Sequence, residues 1–330
     1  MCGKPLVVSL WLLSAMLAGT GSAAPRQMGA PGHPRAAKTG AASEVYTIPQ
    51  VLEKRYDLTP RYQLGQTTYY RFVQTIYLVG AAQEVLQRIQ TSGNFQRQVV
   101  KLREDGAAVE RITWRKFANL VGSGRTGPFG EPQTVPASEN FSYLFCAEDS
   151  YENFHWNYES IPKTMLGDGF MMLSINAHFE FDFLRSRSHG AIHQLHRLGD
   201  RVVAPDTDRP FTIHSRAIPQ SWTCTKRDLT LTFLGLSEVQ RHPCALLEFW
   251  TWLDVDAELG SGTNRMQRPG HTQFDGHLLV DLQDGSLWRG DFNEWVTLPT
   301  LGPTGKETMK TYVEYRMERI STEEFGPTNP

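Results

Sequence analysis

The sequence predicts a mainly β, antiparallel fold of two β-rich modules, as curved open sheets or sandwich-like layers, with few short helices. Three observations carry that expectation. Met171, Leu173, Ile175, Ala177, Phe179, Phe181 and Phe183 recur at every second position among mostly polar neighbours, the period of a strand with one buried face. Asp105-Gly106 and Asp284-Gly285 each stand between two apolar runs, a strong hairpin signal because both turn positions favour positive φ. Helical periodicity is scarce, with short candidates at 49–56 and 189–198.

Taken in order, Lys4, an apolar run over 6–17 and the small residues of 18–24 have the layout of a secretory signal, too short to span a bilayer. Cleavage is expected near Ala23, and the mature protein is expected to be secreted or periplasmic. Residues 25–44 are set apart as a disordered leader, since 25–43 are rich in Ala, Gly and Pro and carry only basic charges. An N-terminal β module is expected over 45–121. It starts with a strand at 69–79, where Tyr70 and Phe72 suit a pleated surface, followed by 95–102 and 109–117 joined through Glu104-Asp105-Gly106. Residues 122–203 form a Gly/Pro linker and middle section that carries the long amphipathic strand 171–183. A C-terminal β module follows over 204–320, with one hairpin of 229–234 with 244–253 and another of 277–282 with 287–292; 321–330 is a tail. The Gly/Pro-rich stretches 122–136, 204–219 and 259–276 read as linkers or long loops. The patterns at 99–106 and 278–285 are either echoes of one duplicated unit or two independent hairpins of a common type.

Lys+Arg of 33 against Asp+Glu of 35 leaves a formal charge of -2, so no global field selects nucleic acid as a partner. No second apolar run reaches the ~18 residues of a spanning helix, so no integral membrane segment is expected after signal cleavage. Loss of Cys2 with the signal leaves Cys146, Cys224 and Cys244, and an oxidising compartment then predicts one disulfide and one spare thiol. The pairing stays open, although a direct Cys224–Cys244 bridge is disfavoured because the intervening hairpin separates them by ~30 Å of strand.

Several constellations have the right residue types for chemistry. Phe141, Tyr143 and Phe145 alternate, as do Phe154, Trp156 and Tyr158. A turn over 146–153 would bring all six to one face, either as a platform or groove for a ligand or as a cross-strand ladder in the core. Tyr143, Trp156, Phe179 and Phe181 are the candidate ligand-binding residues. Opposite the apolar stripe of 171–183 lie His178, Glu180 and Asp182, either a divalent-metal site or the polar side of a half-buried sheet. His189, His193 and His196 fall on one side of a candidate helix. His189 and His196 would be ~10 Å apart along it, so the histidines are either a pair such as His189 and His193 holding one zinc with an outside ligand, or exposed or hydrogen-bonded side chains. Gly122-Ser-Gly-Arg-Thr-Gly127 has the spacing of a dinucleotide fingerprint, but Pro128, Gly130 and Pro132 follow where a helix is needed. No H-E-x-x-H, C-x-x-C, Walker loop or G-x-S-x-G occurs. Asn140-Phe-Ser142 is a glycosylation sequon in a eukaryotic setting.

From Tyr56-Asp-Leu-Thr through Leu64-Gly-Gln-Thr-Thr-Tyr-Tyr-Arg, and again at 99–106, 229–249 and 276–291, the chain resembles secreted bacterial β-proteins of uncharacterised role. The same texture is similar to the curved, open antiparallel sheet of periplasmic lipoprotein carriers, and that resemblance implies a concave apolar face able to hold acyl chains. The expected function is that of an exported, non-enzymatic β-protein, without cofactor, binding an apolar or amphipathic ligand of the cell envelope. Two alternatives stand beside it: a secreted metal-dependent hydrolase using a divalent metal such as zinc at the His178 cluster, and an extracellular glycan-binding or scaffold module using the aromatics.

Overall fold

The computed structural model describes residues 53–80, 83–104, 107–134, 136, 139–146, 191–204, 211–215, 220–259, 266–302 and 305–326. Among the described residues twelve strands form one antiparallel sheet: β1 (Thr67–Val79), β2 (Val85–Leu102), β3 (Ala108–Ser123), β4 (Gln133–Thr134), β5 (Ser142–Cys146), β6 (Arg201–Ala204), β7 (Phe211–Ser215), β8 (Gln220–Val239), β9 (His242–Leu259), β10 (Met266–Asp281), β11 (Leu287–Gly302) and β12 (Gly305–Ile320). Their order is β4-β3-β2-β1-β12-β11-β10-β9-β8-β6, with β5 added beside β3 and β7 beside β8. Strand β1 pairs with β12 from Tyr69↔Ile320 to Val79↔Lys310. The strands expected in two modules therefore share one hydrogen-bonded sheet.

Alternation along the long strands β1, β2 and β3 gives this sheet an inner, buried face. On β1 the even positions Tyr70, Phe72, Gln74, Ile76 and Leu78 are buried, whereas most odd ones are half-exposed. The inner face is densest where β1, β2 and β3 lie side by side. Phe72 meets Phe95 at 5.7 Å, Phe95 meets Trp114 at 5.6 Å, and Trp114 stacks on Phe117 at 4.8 Å. Trp114 and Phe117 are three residues apart, so regular alternation would put them on opposite faces. Lys116 takes a positive φ of 53°, and this bulge turns Phe117 inward. Gly93 makes room for it, since a Cβ there would lie 2.6 Å from the Phe117 ring.

Strands β8 and β9 are twenty and eighteen residues long, well beyond the expected 229–234 and 244–253. Gln240 and Arg241, both at positive φ, turn one into the other. The stretch 259–276 was expected as loop; from Met266 it is strand β10, with Pro269 opposite Asp256. Of the two expected helices, the described part of 49–56 is helical at Glu53 alone. In the described part of 189–198, Ala191 and Ile192 are helical, and turns follow to Gly199. The one helix assigned along its length among the described residues is α1 (Thr322–Phe325), in the expected tail. Ser321 and Glu324 form a reciprocal capping box there, and Phe325 is buried against Tyr69 at 4.8 Å. No helix among the described residues is long and apolar enough to cross a membrane.

The expected disulfide is not seen among the described residues, where Cys146 and Cys244 are buried and neither is bridged. Register explains why Cys244 cannot reach Cys224. Cys244 faces Ser237 on β8, while Cys224 faces Val255, which puts the two ~40 Å apart along the strands. The surroundings of Cys244 also favour the thiol, because burial, with the nearby Asp281 carboxylate, pushes its pKa up to about 12.

Candidate functional site

A cavity of about 60 Å³ lies on the inner face where the last part of β2, the end of β10 and the start of β11 meet the start of β1. Its floor is apolar, formed by Tyr70, Val99, Leu278, Val280, Leu287 and Phe292, with Ile192 from the other side. The Tyr70 hydroxyl donates to the Leu287 carbonyl at 2.8 Å, which fixes the ring while leaving its body in the wall.

The turn between β10 and β11 shapes the mouth. Asp284-Gly285 was expected to make this turn, and Gly285 has the positive φ, 69°, that the position requires. It also passes so close to the incoming chain that a Cβ would lie 2.6 Å from the Thr59 carbonyl oxygen. The Asp284 side chain accepts the Ser286 amide at 2.8 Å, and its carbonyl accepts the Arg61 amide at 2.7 Å. This holds Pro60, Arg61 and Tyr62 over the opening. Asp57 ties the same segment together by accepting from Thr59 and Arg61, and those bonds hold its pKa down at about 2.

One wall carries charge. Arg97 of β2 and Glu110 of β3 pair at 3.1 Å, with 1% and 7% of their side chains exposed, and the Arg97 guanidinium lies 5.5 Å from the Phe145 ring centroid. A buried pair of this kind needs its partner, because removing one side leaves an uncompensated charge in low dielectric. The cavity thus combines an apolar floor with a fixed, net-neutral polar wall. Neither Arg97 nor Glu110 was singled out by the sequence, since only the β2–β3 register makes them neighbours.

A second buried polar group crosses the middle of the inner face. Asn119, Thr91, Gln74 and Tyr315 follow one another in direct register across β3, β2, β1 and β12. Glu294 of β11 accepts the Tyr315 hydroxyl at 2.5 Å and the Thr272 hydroxyl at 2.9 Å. Burial pushes the Glu294 carboxyl up, to about 7, although both hydroxyls act in the opposite direction.

Among the residues proposed from sequence, Tyr143 is described, on β5. It is buried, with its ring 6.2 Å from both Trp114 and Phe141, and it belongs to the core ladder rather than to the cavity wall. His193 is described and exposed. Trp156, Phe179, Phe181, His178, Glu180, Asp182 and His189 lie outside the described residues, as do residues 1–52 with the expected signal and leader. Among the described residues no three His, Cys, Asp or Glu side chains group as a metal site. The fingerprint-like 122–127 leads from the end of β3 into a turn, and Gly122 bridges to Phe129.

No protein-family model and no curated protein matches the chain. Among solved structures it is similar to one described as "lipid-protein interactions in lipovitellin". That match has a TM-score of 0.38 and 8% identity and covers 79% of this chain, which spans 25% of the other.

Proposed function

We propose that the protein binds an apolar or amphipathic molecule on the inner face of its sheet, with the end of the ligand seated in the cavity beside Arg97 and Glu110. The observation that carries this reading is the joining of an apolar floor to a polar mouth in one opening, the arrangement typical of small-molecule sites. A void of about 60 Å³ takes a group of one or two water-sized units. A longer chain enters by displacing the 56–62 segment. That segment is held by Arg61 to Asp284, by Tyr56 to the His196 carbonyl at 2.7 Å, by the Tyr56 ring on Phe233 at 5.5 Å and by the buried side chain of Leu58, so entry of a longer chain requires these contacts to open. The export pattern of residues 1–24 supports an envelope ligand.

The test is native mass spectrometry of protein purified from its own compartment without detergent, with metal analysis on the same sample, followed by titration with the fluorescent fatty acid cis-parinaric acid. Co-purifying lipid mass and saturable fluorescence are expected, both diminished by Val99→Trp, which fills the floor. An empty protein that gives no saturable signal, or a Val99→Trp variant that binds as before, would defeat the reading.

A further inference from the structure

On the outer face a second, independent arrangement appears once the registers are combined. Tyr77, Tyr312, Trp295, Gln273 and Trp252 are successive partners on β1, β12, β11, β10 and β9. They form a row across five strands, with neighbours ~4.8 Å apart. The Tyr77 and Tyr312 rings are 5.5 Å apart, and Tyr312 and Trp295 are 4.3 Å apart with a tilt of 35°. Trp295 therefore leans on Tyr312 on one side. Its other side looks over Gln273, and 52% of the residue is exposed. The exposed indole beside two phenols offers a ring face to a partner.

The row two residues along is acidic: Glu314, Asn293 and Asp275 are successive partners. Neither carboxylate takes part in an ion pair among the described residues. Arg316, two residues along β12 from Glu314, is already held by Asp291 at 2.8 Å; Lys310 lies on the far side of Tyr312, and Arg88 of β2, the partner of Tyr77, has its guanidinium over the Phe129 ring at 4.4 Å. Four neutral side chains donate within the outer face. Tyr77 donates to Glu314 at 2.9 Å, Tyr312 to Asn293 Oδ1 at 2.9 Å, Asn293 Nδ2 to Asp275 at 3.1 Å and the Trp252 indole to Asp254 at 2.7 Å. Beside these donors the strip carries the Glu314 and Asp275 carboxylates and the exposed ring surface of Trp295. A sugar brings donors and acceptors in equal measure, whereas a guanidinium or ammonium brings donors alone and is attracted to ring faces.

From this complementarity of charge and of donors to acceptors, we infer that the outer strip of Trp295, Tyr312, Glu314 and Asp275 docks a basic polypeptide segment, an arginine stacking on Trp295 while carboxylates of the acidic row receive its N–H groups. Arginine suits the site better than lysine, because its planar fork stacks and pairs at once.

The test titrates the full chain with fluorescein-labelled hexa-arginine and hexa-lysine peptides by anisotropy, at about 0.15 M ionic strength. Saturable binding is expected, tighter for arginine. Trp295→Ala should weaken it about three- to fivefold, and Glu314→Gln with Asp275→Asn about tenfold. Glu238→Gln with Glu323→Gln removes the same charge away from the strip and should leave binding unchanged. Equal loss in the two double variants, absence of saturable binding, or stronger binding of chitohexaose that survives neutralisation of the acids would overturn the inference, the last in favour of a glycan. Circular dichroism of each variant confirms that the sheet is retained. The cis-parinaric acid titration reads the inner face separately, so failure of either proposal is visible without the other.

Discussion

The two faces of the sheet use the same kinds of side chain for opposite ends. On the inner face Phe72, Phe95, Trp114 and Phe117 meet with three of their contacts edge to face and are almost wholly buried. On the outer face Tyr77, Tyr312 and Trp295 lean on one another while keeping solvent-facing surface. The difference comes from the parity of a residue along its strand, since one step moves a side chain to the other face. Composition alone would class both groups as candidate core.

The sharpest way to break the comparison is to truncate one tryptophan from each face. Trp114→Ala should cost about 3 to 5 kcal/mol, as expected for a large buried aromatic, and Trp295→Ala less than about 1 kcal/mol, as for a surface change. Denaturant midpoints measure both, and similar losses would show the outer row to be structural. Next in size is the charged wall of the cavity. Arg97→Met strands the Glu110 carboxylate and should destabilise by about 3 kcal/mol, and adding Glu110→Leu should recover most of that loss. A double variant no more stable than the single would mean that Glu110 is satisfied by other groups.

The smallest effect sharpens the comparison through pH. Glu294 has its folded pKa raised by burial from 4.5 to about 7, so the folded state holds a proton that the unfolded chain has released. Stability is then full below about pH 4.5, falls as pH rises towards 7 and levels off beyond. Glu294→Gln should flatten that slope of the thermal midpoint. An unchanged slope in Glu294→Gln would assign it to another group.

Local signals were legible in the sequence. The 69–79 strand, the start of the β2–β3 pairing and the Asp284-Gly285 turn follow from alternation and turn chemistry, which depend on neighbours in sequence. Strand ends were less so. Pro269 and Gly270 read as loop because proline lacks a ladder donor, and Gln240-Arg241 makes a tight turn without the usual Asn or Gly. Ser321 and Glu324 have capping-box spacing within the stretch whose composition reads as tail. The cavity wall and the outer row were beyond reach for a different reason: Arg97 with Glu110, and Tyr312 with Trp295, become neighbours only through registers between strands, and nothing local specifies the β1–β12 pairing on which the outer row depends.

That pairing also has a consequence in time. Tyr69 and Ile320 are about 250 positions apart in sequence yet adjacent in the sheet, so during synthesis β1 emerges long before its partner. The β1–β3 meander must then persist with β1 as an open edge, a template for unwanted pairing, until the last strand arrives. Closing so long a loop is slow. A chain truncated before β12 would expose that edge permanently, which makes the final strand a checkpoint for the whole assembly.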